Sequence, residues 1–268
     1  MSRKLLFVVL VCAVASMANA ADIRYMGNGA WETTENWVGG VQPGVLDAAR
    51  FNWGDNTVTA STAVGTVDRV QAGVDESGTL HILSGGVVSS GTWSGAGVAG
   101  NCIGTINVDA GGTLNTGVIV AGGGHLWVAM NDGGAPFGQN RGIVNISGTV
   151  NVAGIIGLGT LNAVTPSGGI GFVNVLNGGL LALTNIHNLG TSIQPGSLLS
   201  VIGTGLATLP GDFVTVIQNY IDAGKIAGVV VPVYDDQGVV IQTNIIAPEP
   251  VTISLLGLGA LALLRKRS

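Results

Sequence analysis

The sequence predicts an all-β fold, a parallel β-solenoid of the β-helix type, and three observations carry this prediction. Glycine supplies 45 of the 268 residues and is scattered among Val, Ile, Leu, Thr and Asn without a collagen period. Only 9% of the residues are charged whereas 47% are hydrophobic, a balance that excludes ordinary disorder. Four segments in the middle of the chain also repeat one pattern of apolar residues and turns.

The repeated pattern is a glycine, alternating apolar residues, a small polar turn with one or two glycines, and a second apolar pair. The copies begin 26, 38 and 29 residues apart and read GTLHILSGGVV (78–88), GTINVDAGGTL (104–114), GIVNISGTV (142–150) and GFVNVLNGGLL (171–181). Period-two alternation indicates strands with one buried face, and stacked units bury a core that a single unit cannot form. We therefore predict the solenoid over residues 60–205, with an antiparallel sandwich as the alternative.

Two segments are expected to cover the open ends of the solenoid, because unprotected sheet edges recruit other chains. Residues 21–59 form an aromatic N-terminal cap segment that contains three tryptophans. Residues 206–247 contain a capping helix followed by the final strands. The helix has Asp212 as its N-cap, apolar residues at helical spacing and Gly224 as its stop. The polar insertion at 131–140 is expected to be a surface loop.

The first twenty residues indicate export. Arg3 and Lys4 precede an apolar stretch, and the small residues Ala18 and Ala20 form a site at which a signal peptidase would cut before Ala21. We therefore predict that residues 1–20 are a signal peptide. Cleavage removes Cys12 and leaves Cys102, which is expected to be buried, so no disulfide forms within the mature chain.

The last twenty-one residues, 248–268, join a short turn, an apolar run and a basic end, with the charged and proline positions at Pro248, Glu249, Pro250, Arg265, Lys266 and Arg267. As a helix, the run from 251 to 264 would be about 21 Å long, against a hydrocarbon core of about 30 Å. This apolar C-terminal helix would be a weak membrane anchor. A permanent C-terminal anchor with prolines at its edge is the alternative interpretation.

The Pro-Glu-Pro motif, the run and the basic end, together with a signal peptide and a glycine-rich β-repeat body, resemble exported bacterial proteins that carry a PEP-CTERM sorting signal. The resemblance implies a membrane peptidase of the exosortase type as a partner and transient insertion in the inner membrane, with the basic end on the cytoplasmic side. It implies release to the cell surface or extracellular matrix of a Gram-negative bacterium. The implied role is structural or adhesive, in contact with exopolysaccharide.

Residue patterns for catalysis, cofactors and metals are weak. His81, His125 and His187 have no metal-ligand spacing, and no nucleophile elbow, P-loop or dinucleotide motif stands between a strand and a helix. We therefore expect no enzymatic activity, cofactor or metal site; a polysaccharide lyase or hydrolase is the less favoured alternative. Asp235 and Asp236 are interpreted as a polar hairpin turn rather than a calcium site.

Charge excludes one class of partner, and the tryptophans suggest another. Residues 21–247 carry five basic against 14 acidic residues, a net charge of −9 that argues against nucleic acid. A carbohydrate-binding surface module is the alternative function, in which Trp31, Trp37 and Trp53 would stack on sugars of a matrix polysaccharide. Packing inside the cap also explains these three side chains. Trp93 and Trp127 are expected to be buried or to occupy ladder positions.

Overall fold

A computed structural model describes residues 20–119, 123–131, 136, 138–162, 165–187 and 190–249. These residues form nineteen strands, one α-helix and a short 3-10 turn, Thr34–Asn36. The strands are β1 (Asp22–Arg24), β2 (Gly29–Ala30), β3 (Ala48–Phe51), β4 (Asn56–Ala60), β5 (Val67–Val74), β6 (Gly78–Ile82), β7 (Val87–Ala99), β8 (Ile103–Val108), β9 (Thr113–Thr116), β10 (His125–Val128), β11 (Arg141–Ile146), β12 (Thr149–Leu158), β13 (Ile170–Val175), β14 (Leu180–Asn185), β15 (Leu198–Val201), β16 (Leu206–Pro210), β17 (Ile226–Ala227), β18 (Val229–Tyr234) and β19 (Val240–Ile246).

The strands are divided between two sheets with parallel pairing. The first sheet has the order β1-β3-β5-β7-β10-β12-β14-β16-β19-β18, with β9 pairing β7 and β12 beside this path. The second sheet has the order β17-β15-β13-β11-β8-β6-β4-β2. Pairing between these strands is parallel except where β19 joins β16 and β18. The all-β prediction is confirmed, and the parallel pairing differs from that of the antiparallel alternative.

The first strands of the four repeated segments lie side by side in the second sheet, and the second apolar pair of each segment lies in the first sheet. Leu80, Ile106 and Val144 are aligned residue for residue across β6, β8 and β11. Val173 and Leu199 continue this column through β13 and β15, and all five side chains are buried. The period-two alternation therefore does mark one buried face, and the apolar columns meet those of the first sheet in a single core.

The glycine that opens each repeat is required by close contact with the first sheet. A Cβ atom on Gly78 would lie 1.9 Å from the carbonyl oxygen of Phe51 in β3, and one on Gly104 would lie 1.9 Å from that of Ala72 in β5. No side chain fits at these distances. The recurrence of glycine in the repeat thus reflects backbone packing between the sheets, in addition to turn formation.

The predicted capping helix is present as α1 (Val214–Asp222), and it begins two residues after Asp212, with Phe213 as its N-cap residue. The Asp212 carboxylate still accepts the Val214 N–H at 3.1 Å. At the other end Gly224 has a φ of +67° and stops the helix as expected. The buried Tyr220 hydroxyl donates to the His187 carbonyl at 2.8 Å and fastens the helix to the body.

Some of the segment boundaries predicted from the sequence differ from those of the observed strands, and some predicted segments lie outside the described residues. Strands β1 to β3 and all but the last residue of β4 fall within the predicted cap segment 21–59 and already belong to the two sheets, so pairing begins before residue 60. Half of the predicted loop at 131–140, namely residues 132–135 and 137, lies outside the described residues, as do the apolar segments of residues 1–19 and 250–268. Within the described part, no helix is long and apolar enough to cross a membrane.

Candidate functional site

Two of the three tryptophans that the alternative function would use for sugar stacking lie inside the protein. Trp31 is 1% exposed and Trp37 is 0% exposed, and their ring centroids are 5.2 Å apart. The Trp37 indole N–H donates to the Trp31 carbonyl at 2.8 Å, and Phe51 packs against both rings. The stacking hypothesis is therefore wrong for Trp31 and Trp37, because both indoles fill the aromatic cap. Trp53 is 48% exposed.

Parallel register gathers a different set of side chains on the outer face of the first sheet. Arg69 on β5, Trp93 on β7 and His125 on β10 are successive partners, and Trp127 lies two residues further along β10. We call these four residues the aromatic strip. The Arg69 guanidinium carbon lies 5.9 Å from the centroid of the Trp93 ring. The His125 and Trp127 rings are 5.1 Å apart.

Glycines on the neighbouring strands make room for these indoles. Trp127 is flanked in register by Gly95 on β7 and Gly157 on β12. A Cβ atom on Gly157 would lie 2.3 Å from the Trp127 ring, and one on Gly95 would lie 3.1 Å from the Trp93 ring. As a result Trp127 is only 7% exposed, while Trp93 stays half-buried and contributes the open part of the strip.

Carboxylates neutralise most of the positive charge near the strip. The Arg69 Nε lies 2.9 Å from an Asp68 carboxylate oxygen, and its Nη2 lies 3.8 Å from Asp22. Burial lowers the pKa of His125. Its Nδ1 accepts the Ile155 N–H at 3.0 Å, so the neutral ring carries its proton on Nε2. The strip is therefore aromatic and close to neutral, rather than a basic patch.

Asparagines form hydrogen-bonded ladders on the outer faces of both sheets. In the second sheet, the Asn174 amide donates to Asn145 and the Asn145 amide donates to Asn107, each at 2.8 Å. In the first sheet the Asn151 amide donates to Asn115 at 2.8 Å. These bonds link side chains from neighbouring strands and fix the parallel register. Most of these amide groups are consequently engaged within the protein.

A shallow depression of about 330 Å³ adjoins the ladder of the first sheet. It forms where Ala182 follows Asn151 in register and is too short to continue the ladder. Val118, Ala153 and Thr184 contribute to the walls, and the described lining contains no titratable side chain. The depression can offer amide and hydroxyl groups to a ligand but no acid or base.

The segment with the Pro-Glu-Pro motif leaves the body at the end of the last strand. β19 ends at Ile246, after which Pro248 is half-buried and Glu249 is exposed, both without regular secondary structure. A cavity of about 490 Å³ lies between this segment and residues 203–206. At the other end Ala20 and Ala21 are exposed. The remaining residues of the two processing signals lie outside the described residues: Ala18, Pro250, Arg265, Lys266 and Arg267.

Other polar residues serve local structure. His81 Nε2 lies 2.9 Å from an Asp109 oxygen, so neither residue is isolated. The Asp235 carboxylate accepts two backbone N–H groups, at 2.9 and 2.8 Å, which confirms the polar hairpin turn. Cys102 is 2% exposed, as predicted, and burial raises its pKa to about 11. Across the described ranges, no three His, Cys, Asp or Glu residues are grouped so as to hold a metal ion.

Comparisons with known proteins assign no family to the chain. No protein-family model, no curated protein and no solved structure matches it.

Proposed function

We propose that this chain is an exported protein of the cell surface or extracellular matrix, with a structural or adhesive role and a body that is a parallel β-solenoid. Apart from β9–β10 and β18–β19, successive strands alternate between the two sheets around one core, which is the path expected of a chain that winds in coils. The first strands of the repeats pair in register in the second sheet.

The sorting part of the proposal is supported chiefly by the position of the Pro-Glu-Pro motif directly after the last strand of the body. Pro248 and Glu249 follow the last strand within three residues and lie at the surface without helix or strand. A membrane peptidase of the exosortase type needs such an extended segment outside the packed body. Proline keeps the segment out of any helix that the apolar run forms. The run then acts as a temporary stop in the inner membrane, and it is discarded on cleavage.

The outer faces of the body support a structural role. Asparagine ladders join neighbouring strands by side-chain hydrogen bonds, in addition to the backbone pairing. Each coil therefore depends on its neighbours, and the whole body behaves as a stiff unit. Such a unit, released outside the cell, is suited to act as a spacer or an adhesive surface in a polysaccharide matrix.

The test is mass spectrometry of both termini of the protein recovered from the envelope and medium of its native host. We expect a mature chain that starts at Ala21 and ends near Pro248. Replacement of Pro248 and Pro250 by alanine should leave full-length chains in the membrane. The matched control Pro210→Ala, which alters an exposed proline at the end of β16, should be processed normally. A wild-type chain that retains Arg267 in the membrane would refute sorting and release.

The aromatic strip favours a second candidate function, binding of a polysaccharide. Trp93 is half-buried on an open sheet face beside Arg69, so a sugar ring has an indole to stack on and a guanidinium for a hydroxyl or carboxylate. Affinity electrophoresis in gels that contain neutral or acidic polysaccharide tests this function. Retardation should be lost in Trp93→Ala and kept in Trp53→Ala, which removes an exposed indole from another part of the surface. Equal retardation of the two variants would exclude the strip.

A further inference from the structure

The structure gives the residue expected at the mature N-terminus a specific partner. The Ala21 backbone nitrogen donates to an Asp47 carboxylate oxygen at 3.0 Å. The other oxygen of this carboxylate accepts the Gly44 N–H at 2.8 Å. The Ala48 N–H donates in turn to the Ala21 carbonyl at 2.8 Å. Ala21 is thus held at the start of β1 by the loop and the strand that contain Asp47 and Ala48.

The charges around Ala21 leave Asp47 without a cation. Asp22, on β1, pairs with Arg50 at 2.7 Å and lies 3.8 Å from Arg69. Asp68, on β5, pairs with Arg69 at 2.9 Å. Asp47 receives two backbone N–H groups, but within the described ranges it has no ion pair. A positive charge placed on the Ala21 nitrogen would therefore meet an uncompensated carboxylate.

We propose that Asp47 binds the amino group that signal-peptide cleavage creates at Ala21, and that the resulting ion pair fastens the edge strand β1. This inference rests on the proposed function, because it requires cleavage before Ala21. Hydrolysis of the Ala20–Ala21 bond consumes one water molecule and leaves a carboxylate on Ala20 and an ammonium group on Ala21. In the precursor the donor to the Asp47 carboxylate is a neutral amide N–H, and in the mature protein it is an ammonium group, so the contact becomes an ion pair.

The ion pair would stabilise β1, which is a short strand at the edge of a sheet. β1 has only three residues and lies at the edge of the first sheet, where β3 is its strand partner. Short edge strands fray unless they are tied down. The ion pair would form only in chains that the signal peptidase has already cut, so it would strengthen the attachment of β1 after export.

The sign of the pH dependence follows from the charge on the new group. An α-amino group has an ordinary pKa of about 7.7–8.0, and an adjacent carboxylate raises it in the folded state. The stabilisation is therefore complete below about pH 7.7 and is lost as the pH rises through the raised pKa. An N-acetylated chain has no such charge and no such dependence.

The test is a double-mutant cycle on the chain 21–268, produced with a free or an acetylated amino group and with Asp47 or the variant Asp47→Asn. For an exposed pair in a chain of this length, the free amino group should raise the Tm by roughly 1–3 °C at pH 6.5. The gain should disappear at pH 10 and in Asp47→Asn. It should persist in the control Asp236→Asn, which removes an exposed acid at the opposite end.

A gain of the same size in the Asp47 and Asp47→Asn chains would overturn the inference, as would a gain that survives at pH 10. Sequencing of the mature N-terminus from the native host separates this result from the proposed function. A native chain that begins elsewhere would contradict cleavage before Ala21 and hence any role of this pair in the mature protein. A native start at Ala21 with no effect of Asp47→Asn would leave sorting intact and remove only the role of Asp47.

Discussion

The opening glycine of the second repeat gives the most direct test of the packing between the sheets. Gly104 is aligned with Gly78 and Gly142, on the strands to either side. A Cβ atom at Gly104 would lie 1.9 Å from the Ala72 carbonyl oxygen and 2.1 Å from the Gly97 nitrogen. Both neighbours are backbone atoms of the first sheet, so no side-chain rotation relieves the overlap.

The substitution Gly104→Ala should therefore be severely destabilising. Overpacking a core usually costs about 1–3 kcal/mol, and here two strands of different sheets must separate, so we expect a loss of at least about 3 kcal/mol in the free energy of unfolding. Gly65→Ala is the matched control, because a Cβ there has no heavy atom within 4 Å. That change should be neutral or stabilising by about 0.4–1 kcal/mol.

Urea unfolding of the chain 21–268, followed by the fluorescence of the buried indoles Trp31 and Trp37, measures both effects. Gly171→Ala adds a graded comparison, because its Cβ would lie 2.5 Å from the Val128 carbonyl oxygen and should cost less than Gly104→Ala. Equal midpoints for Gly104→Ala and Gly65→Ala would refute the close approach of the sheets. A larger loss in Gly171→Ala than in Gly104→Ala would refute the ranking by distance.

Three further outcomes follow from burial. Trp37→Ala should lower the free energy of unfolding by about 3–5 kcal/mol in urea, whereas Trp53→Ala should change it by less than about 0.5 kcal/mol; comparable losses would contradict the buried cap. Because burial lowers the pKa of folded His125 from 6.5, the unfolded chain binds the proton first, so stability should fall as the pH drops below about 6.5 and should fall less in His125→Gln; superimposable pH profiles would contradict this. The Cys102 thiol, with its pKa raised by burial to about 11, should react with a chromogenic disulfide reagent at pH 8 only after unfolding, and rapid labelling of the native protein would contradict its burial.

The strands of the second sheet could be predicted from the sequence because their signals are local. Leu80, Ile106 and Val144 each follow a glycine by two residues and alternate with outward residues, and the structure aligns all three in one buried column. Alternation and turn chemistry are set within about ten residues, so a single sequence contains them. The glycine stop of helix α1 at Gly224 was predictable for the same reason.

The aromatic strip could not be predicted, because its members meet only through register. Trp93 and His125 are 32 positions apart in the sequence and become neighbours because β10 pairs with the second half of β7. The first half of β7 pairs with β9 instead. Sequence periodicity shows which face of a strand a side chain is on, but it does not show which residues of two distant strands are paired with each other. The same limit explains why the contact between His81 and Asp109 was missed.

The sequence leaves open, for a related reason, whether the tryptophans of the N-terminal segment pack in the cap or stack on sugars. Trp31, Trp37 and Trp53 lie close together in the sequence, which is compatible with both arrangements. In the structure, the first two close around Phe51 at the end of the core, where large rings cover the last apolar columns. Composition shows that a segment is rich in aromatic rings, but the facing strands decide which rings are buried.

The edge strands at the two ends of the sheets limit how the protein can associate with other chains. At the N-terminal end the edge strands β1 and β2 have three and two residues. At the C-terminal end β17 has two residues, and β18 contains Pro232, which has no N–H to offer a further strand. Short or proline-containing edges are poor templates for pairing with another chain. End-to-end growth is therefore disfavoured, and a matrix role requires contacts through the outer faces, where the asparagine ladders and the aromatic strip lie.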